Sequence, residues 1–278
     1  MQLLLNFRPN LRIMFLGTAA SEGWPAVFCQ CQYCIKAREI GGKNLRSRAS
    51  VLFNDDLKVD FPPDTYMHVL KYGLDLGVLR FLLVTHSHRD HFYADDLETR
   101  RNPFAYIRCE EPLKVYGNET VYEKTVKVAP PEAVSPEIVK PFKPLKLDYY
   151  EVEALPANHA HSEECLLYVI SIGDVSVFYG HDSGWYPDET WKALKRRKLS
   201  LVIMDCTCII KNCINYHMGI ETMVKARNRM INEGIANGDT IFIATHFSHN
   251  GELLHHELEE KLKPYDITPA YDGMCIKL

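Results

Sequence analysis

The sequence predicts an α/β protein (α+β in some schemes) built as an αββα sandwich, two mixed sheets face to face with helices on the outer surfaces. Three observations predict it. Two stretches read as β-hairpins, "ASVLFNDDLKVDF" (49–61) around an Asn-Asp-Asp turn and "CLLYVISIGDVSVFYG" (165–180) around Gly173-Asp174. The apolar run "VLRFLLVT" (78–85) has the length of a strand buried on both faces. From "LSLVIMD" onward, strands and helices alternate. Hairpins combined with strand–helix units need two sheets, each with its outer face covered by helices.

Taken in order, "RIMFLGT" (12–18) is a strand ending at a glycine, and the first hairpin follows it. "TYMHVLKYGL" (65–74) has helical spacing and leads to the apolar strand. "PLKVYG" (112–117) is a strand, with a short helix from about Glu119. The proline-rich passage 130–144 reads as a long surface loop, because site motifs lie on both sides of it. "YYEVEALPA" (149–157) alternates as a strand does, and the second hairpin follows. After "LSLVIMD" come a helix near 219–236, the strand "TIFIAT", a helix near 251–262 and a last strand, "GMCIKL". No repeat, linker or low-complexity tract divides the chain, and one domain over 1–278 is expected.

The 278 residues are 46% hydrophobic and 24% charged, ordinary for a folded protein, with a net charge of −4. That charge offers no broad basic footprint for nucleic acid or a membrane surface. No stretch approaches the roughly 18 to 20 apolar residues of a membrane span. The start, "MQLLLNFRPNLRIMF", is broken by Asn6, Arg8, Pro9, Asn10 and Arg12, and lacks the basic–apolar–small order of a signal peptide. A cytoplasmic protein is expected, in which nine cysteines read better as metal ligands or buried thiols than as disulfides.

Directly after the apolar run stands "THSHRDH", which places His86, His88, Asp90 and His91 within six positions. A lone histidine is ordinarily a surface group or a satisfied polar one. Four metal-capable side chains at the end of a buried strand are another matter. Buried uncompensated charge is costly, and the carboxyl ends of strands are where α/β folds place their sites. Imidazole nitrogens with carboxylate oxygens suit zinc, manganese and iron. In an extended turn His86 and His88 point the same way and can share one ion. Asp90 and His91 lie one turn on and can hold a second, and such a pair needs further ligands from elsewhere in the chain.

This HxHxDH motif, placed after an N-terminal strand and hairpin, resembles that of the metallo-β-lactamase superfamily, and the resemblance covers nearly the whole chain. It implies the metallo-β-lactamase fold and a dinuclear site. His86, His88 and His159 ("LPANHAHS") would hold one ion, Asp90, His91 and His246 ("FIATHFSH") the other, and Asp182 ("FYGHDSG") would bridge them. Asp60 in "LKVDF" matches the family's aspartate at the end of the early hairpin, a support for the histidine loop and not a ligand. His161 competes with His159, and the "NH" context favours His159. His181 is left as a neighbour of Asp182. His68, His255 and His256, on predicted helices, are expected at the surface.

Cys29, Cys31 and Cys34 crowd the stretch "FCQCQYC" (28–34). Alone they could be a redox device, buried thiols or three quarters of a zinc site. "LGTAASEGWPAVFCQCQYC" resembles the N-terminal signature of a PhnP-like subgroup of the same superfamily. Its members include the cyclic-phosphate phosphodiesterase of the carbon–phosphorus lyase pathway and the coenzyme PQQ biosynthesis protein B. In that phosphodiesterase the cysteines bind a structural zinc, completed by the second histidine of "THxSH"; here "THFSH" supplies His249. The ending "YDGMCIKL" is similar to the phosphodiesterase's "DGM" ending. Three thiolates and an imidazole also form a closed zinc set in their own right. Cys206, Cys208 and Cys213 are expected to be packing or loop thiols, and Cys109, Cys165 and Cys275 to be buried in or next to strands.

The activity the resemblance implies is hydrolysis by two divalent ions, zinc or manganese, that share a hydroxide, with a small cyclic phosphate or nucleotide-like phosphodiester as substrate. His217, in "NYHMGIET", stands where the phosphodiesterase places its leaving-group acid, and Asp90 joins the catalytic set as a ligand. Tyr216, Met218 and Gly219 depart from its polar neighbours and leave the substrate undetermined. The alternatives are a tRNA 3′-processing nuclease, a thioester or lactam hydrolase, and a role like that of PQQ protein B. Against the nuclease stand the net charge of −4 and the lack of a Gly/Lys-rich arm. The expected partner is a small phosphodiester, with no membrane and no nucleic acid; a homodimer stays open.

Overall fold

A computed structural model describes residues 11–278, so most of the start weighed above as a signal peptide, 1–10, lies outside the described residues. Two seven-stranded sheets face each other. One runs β14 (Cys275–Lys277), β1 (Arg12–Gly17), β2 (Ser50–Phe53), β3 (Leu57–Val59), β4 (Phe81–Leu83), β5 (Leu113–Gly117) and β6 (Val134–Ile138). The other runs β13 (Ile267–Pro269), β12 (Ile241–Thr245), β11 (Leu201–Asp205), β10 (Val175–Gly180), β9 (Leu166–Ile172), β8 (Tyr150–Pro156) and β7 (Pro144–Leu147). Each sheet joins an antiparallel half to a parallel half. β14 to β3 pair antiparallel and β3 to β6 parallel. In the second sheet β7 to β10 pair antiparallel and β10 to β13 parallel. Both hairpin turns use a left-handed residue, Asn54 at φ +50° and Gly173 at φ +55°, as tight two-strand turns require.

Alternation along the strands sorts the apolar side chains into three layers. Phe81 and Leu83 of β4, Val177 and Tyr179 of β10, and Leu201 and Ile203 of β11 meet between the sheets. The intervening Leu82, with Val84 and Val115, packs outward against Leu97 and against Val121 of α3 (Glu119–Val128). On the opposite outer face Phe178, Val202 and Met204 pack with Trp191 of α4 (Asp188–Leu194), Met223 and Met230 of α5 (Ile220–Asn232), and Leu258 of α6 (His255–Leu262). The layers are helix, sheet, sheet, helix, as expected.

Several details differ from expectation. The proline-rich passage is not a long loop; it contains β6 and the start of β7. Both are edge strands, where Pro136 and Pro144 need donate nothing to an outer neighbour. Helix α1 (Gln32–Ile40), α4 and β13 escaped the sequence pattern because each is short. Helix α1 grows out of the cysteine stretch itself, with the Cys31 side chain accepting from the Cys34 N–H as its cap. His68 and His255 are buried rather than at the surface. Ser47 Oγ lies 2.8 Å from His68 Nε2, and Arg46 donates to His255 Nδ1 at 2.8 Å, so buried partners receive them. His256 is exposed. Cys208 and Cys213 are bonded to each other, their Cα atoms 6.2 Å apart across a loop, and Cys275 is exposed on an edge strand. Among the described residues no helix is long and apolar enough to cross a membrane.

Gly17 closes β1 at a register shift that brings it against the chain near Arg48. A Cβ there would stand 2.0 Å from the Arg48 carbonyl oxygen and 2.7 Å from Ser47 Oγ. Gly17→Ala is therefore expected to destabilise the fold by about 1–3 kcal/mol, read as a lower urea midpoint at unchanged m-value.

Candidate metal centres

The predicted dinuclear residues follow the carboxyl ends of strands along one shared edge. His86, His88, Asp90 and His91 follow β4, His159 follows β8, Asp182 follows β10 and His246 follows β12; Asp60 follows β3. Strands β10 to β12 are parallel, and β8 runs the same way across the antiparallel β9. This is the edge where strand carboxyl ends leave loops free to build a site.

The donor atoms converge. His86 Nε2 and His88 Nδ1 are 2.9 Å apart, and His88 Nδ1 and His159 Nε2 are 3.3 Å apart. His91 Nε2 lies 3.2 Å from His246 Nε2 and 3.3 Å from Asp90 Oδ2. Asp182 Oδ2 stands between the two groups, 3.6 Å from both His91 Nε2 and His159 Nε2 and 3.4 Å from His246 Nε2. Donors held about 2.0–2.1 Å from a tetrahedral zinc lie about 3.3 Å from one another. The observed spacings cluster around that value, so the residues fit a pair of divalent ions. His161 instead rests edge-on against Tyr216, with ring centroids 5.3 Å apart.

The groups behind the rings decide which nitrogens face inward. His91 Nδ1 donates to Asp60 Oδ2 at 2.8 Å, and Asp60 Oδ1 accepts from both the N–H and the hydroxyl of Thr85 at 2.9 Å. With the Thr85 proton so engaged, His86 Nδ1 donates to that hydroxyl at 3.0 Å. His159 Nδ1 donates to the Tyr216 carbonyl at 3.1 Å. Thr207 donates to Asp205 Oδ2 at 2.9 Å and accepts from His246 Nδ1 at 2.7 Å. Each outer N–H is thereby occupied, leaving Nε2 of His86, His91, His159 and His246 to point at the centre. Burial keeps His86 well below the usual histidine range and holds His246 down to about 4, so both offer lone pairs. His91 differs. Burial opposes its charge, but Asp90 and then Asp60 outweigh burial and hold its pKa well above the ordinary value. A cation bound there would displace that proton.

His217 stands at the rim of this cluster, where its donor atom and those of Asp182, Asp205 and His246 lie within 4.8 Å of one another. Its Nδ1 is 2.7 Å from Asp182 Oδ1, poorly aligned to donate, and 3.2 Å from Asp205 Oδ2. Burial opposes its charge, yet Asp182 and Asp205 raise its pKa to about 11. Asp205 was missed by the sequence reading, although "MDC" puts a carboxylate at a strand end, the same signal that pointed to Asp182. Nothing local in the sequence marks Thr85, Thr207 or the Tyr216 carbonyl. His181 is fully buried behind the donors, its ring 5.5 Å from that of His246, and among the described residues neither of its nitrogens has a hydrogen-bond partner.

Cys29, Cys31, Cys34 and His249 come together as a second cluster, their donor atoms within 4.8 Å of one another. His249 Nδ1 is 3.7 Å from Cys29 Sγ and 3.5 Å from Cys31 Sγ. A tetrahedral zinc with bonds of about 2.3 Å to sulfur and 2.0 Å to nitrogen spaces those atoms by about 3.5 Å. Each sulfur also accepts a backbone N–H at 3.4 Å, from Cys31, Cys34 and Ala26 respectively, which favours thiolates. Burial alone would raise Cys31, but the Cys34 N–H, with Cys29 and His249, brings it down to about 6; burial pushes Cys34 up to about 12. The cluster fits a structural zinc site.

Residues 65–247 match the beta-lactamase superfamily domain. The chain is 27% identical over 282 residues to an octanoyltransferase of Porphyromonas gingivalis, an alignment covering 95% of this chain and 51% of that protein. The chain thus spans about half the length of that curated relative. The solved structure of a diphosphatase of the PhnP family superposes with a TM-score of 0.75 at 22% identity, covering 96% of this chain and 98% of that one. Zinc-bound PqqB from Methylobacterium extorquens superposes with a TM-score of 0.70 at 15% identity, covering 96% of this chain and 100% of that one. At such identities the likeness is one of fold.

His249→Ala is expected to lower the metal content of purified protein by one zinc per chain and to lower the thermal midpoint, while the dinuclear donors still load. Unchanged metal content by elemental analysis would exclude His249 as a ligand.

Proposed function

Because the chain belongs to the beta-lactamase superfamily, we propose that it is a metal-dependent hydrolase of small phosphodiesters, such as a cyclic phosphate or a nucleotide-like diester. His86, His88 and His159 would hold one divalent ion and Asp90, His91 and His246 the other, with Asp182 between them. Zinc and manganese both suit this nitrogen and oxygen set. Cys29, Cys31, Cys34 and His249 would hold a structural zinc. When bound, the two ions supply a water of lowered pKa and neutralise phosphate oxygens.

The chain's own residues supply orientation and a proton. Asp60 acts through His91, Thr85 through His86 and Thr207 through His246, each keeping a nitrogen aimed at the centre. Asp182 and Asp205 favour the protonated form of His217. The His217 side chain is 29% exposed, so it can meet a substrate and hand its proton to the leaving alkoxide. An imidazole set 2.7 Å from Asp182 Oδ1 and 3.2 Å from Asp205 Oδ2, beside a dinuclear donor set, is the observation that supports the reading. A diester's oxygens call for cations, and its leaving oxygen calls for a proton. The partial match to an octanoyltransferase favours a second reading, cleavage of an acyl thioester with the same donors.

Protein loaded with zinc or manganese is expected to hydrolyse bis-p-nitrophenyl phosphate and 2′,3′-cyclic nucleotides. His217→Gln is expected to lower kcat by about 10²–10⁴-fold with both ions retained. Absence of diester hydrolysis with either metal would overturn the phosphodiesterase reading, and cleavage of an octanoyl thioester by that protein would install the second.

A further inference from the structure

Ser87 stands between His86 and His88 and is 5% exposed. Its backbone N–H donates to Glu163 Oε2 at 3.0 Å and its hydroxyl to Glu163 Oε1 at 2.9 Å, a two-pronged grip. Glu163 belongs to the loop after β8 that also carries His159. Asn118 Nδ2 donates to Glu163 Oε2 at 2.7 Å and to the Glu164 carbonyl at 2.8 Å. Asn118 is itself fixed, because its Oδ1 accepts from the Val121 N–H at 2.9 Å and so caps α3. From the other side Lys124 of α3 donates to the Ser87 carbonyl at 2.6 Å and to its hydroxyl at 3.0 Å.

The two loops joined here come from different sheets. Tyr168 donates to the Val84 carbonyl at 2.8 Å and the Leu166 N–H to the Thr85 carbonyl at 2.8 Å, which ties down the strand end. Beyond Thr85 the histidine loop closes on itself, with the N–H groups of His91 and Phe92 donating to the His88 carbonyl at 3.0 and 2.7 Å. A loop bonded to itself can still shift as a unit. Ser87 is the point where it is gripped by the loop that carries His159.

We propose that Glu163 is a positioning residue. Braced by Asn118 and opposed by Lys124, it holds the His86–His88 turn against the His159 loop and so sets the 3.3 Å spacing of His88 Nδ1 and His159 Nε2 before any ion arrives. It rests on the reading that His86, His88 and His159 hold an ion, and not on which ester is cleaved. Groups that hydrogen-bond metal ligands from behind typically matter by about 10–100-fold in metal affinity, and Glu163 acts one residue removed, through Ser87.

The test is zinc titration of metal-stripped and refolded full-length protein against a competing chelator, with the sites separated by His86→Ala, His246→Ala and His249→Ala controls. Glu163→Ala is expected to weaken the ion lost in His86→Ala by about 10–100-fold, leaving the zinc lost in His249→Ala unchanged. Glu163→Gln keeps an acceptor for one Ser87 donor and should show a smaller loss at the same site. It carries the test, with Ser87→Ala, if Glu163→Ala does not fold. A merely structural role would instead lower the unfolding midpoint and weaken all sites alike, and that result overturns the proposal, as does unchanged affinity in every variant. Should wild type hold no ion that His86→Ala removes, the parent reading fails instead, and the controls show it.

Discussion

Four carboxylates crowd the edge where the two sheets meet, and the need to compensate them governs the rest of this structure. Asp60 and Asp205 are fully buried, Asp182 is 3% exposed and the Asp90 side chain 13%. A buried ion without partners costs several kcal/mol. Two of the four are answered by hydrogen-bond donors. Asp60 takes the N–H and hydroxyl of Thr85 and the Nδ1 proton of His91. Asp205 takes the N–H groups of Thr207 and Met218 and the Thr207 hydroxyl. Asp90 and Asp182 are faced instead by histidine nitrogens, and Asp182 Oδ1 has no hydrogen-bond partner among the described residues. The first pair is scaffold, and the second is what a cation would complete.

Holding those groups in place strains the backbone. Asp60, Tyr216 and His246 take φ values of +61°, +64° and +62°, in the left-handed region that side chains other than glycine's disfavour. Such conformations persist where surrounding contacts over-determine them, and they concentrate at functional sites. The contacts are visible. The Phe247 N–H donates to the Thr18 carbonyl at 2.9 Å, and the Ala20 N–H to the Phe247 carbonyl at 3.0 Å, so the loops after β1 and β12 lock together beside His246. Asp272 of the "DGM" ending then accepts from Thr18 Oγ1 at 2.8 Å and from Ser47 N and Oγ at 2.6 and 2.7 Å. The sulfur cluster lies on the same seam, since His249 follows His246 by three positions and meets the cysteines of the N-terminal loop. The loop after β1, the segment around Asp272 and the histidine-bearing loop of β12 therefore form one unit. That unit gives the N-terminal "LGT", the cysteine stretch and the C-terminal "DGM" a common structural role.

Most of the fold was legible in the sequence, because hairpins, alternating strands and apolar runs depend on neighbours a few positions away. Asn54 and Gly173 turn the two hairpins, and the alternation of Leu201, Val202 and Ile203 sorts side chains between the sheet interface and the helical face. The elements that escaped, α1, α4, β6, β7 and β13, are too short to show a period or contain prolines that only an edge position tolerates. His68 and His255 lay on predicted helices but face inward, because helical spacing alone does not say what polar partners wait beneath.

At the site the sequence by itself determined which residue types would gather at strand ends: His86, His88, Asp90, His91, His159, Asp182 and His246 in one cluster, and the three cysteines with His249 in another. His86, His88, Asp90, His91 and the cysteines follow from local motifs, whereas His159, Asp182, His246 and His249 follow from the resemblance to the superfamily. Only the tertiary structure decided which nitrogen of each ring faces inward, that Asp205 and Asp182 share the charge of His217, and that Glu163 grips Ser87. These are contacts between residues distant in the chain, made when two sheets close on each other, and a linear sequence does not display them. The Cys208–Cys213 bond, though local, also depends on the folded loop. Two thiols five positions apart pair only if the loop between them turns back, and here the Lys211 N–H donates to the Cys208 carbonyl at 2.9 Å while Thr222 Oγ1 donates to the Cys213 carbonyl at 2.6 Å.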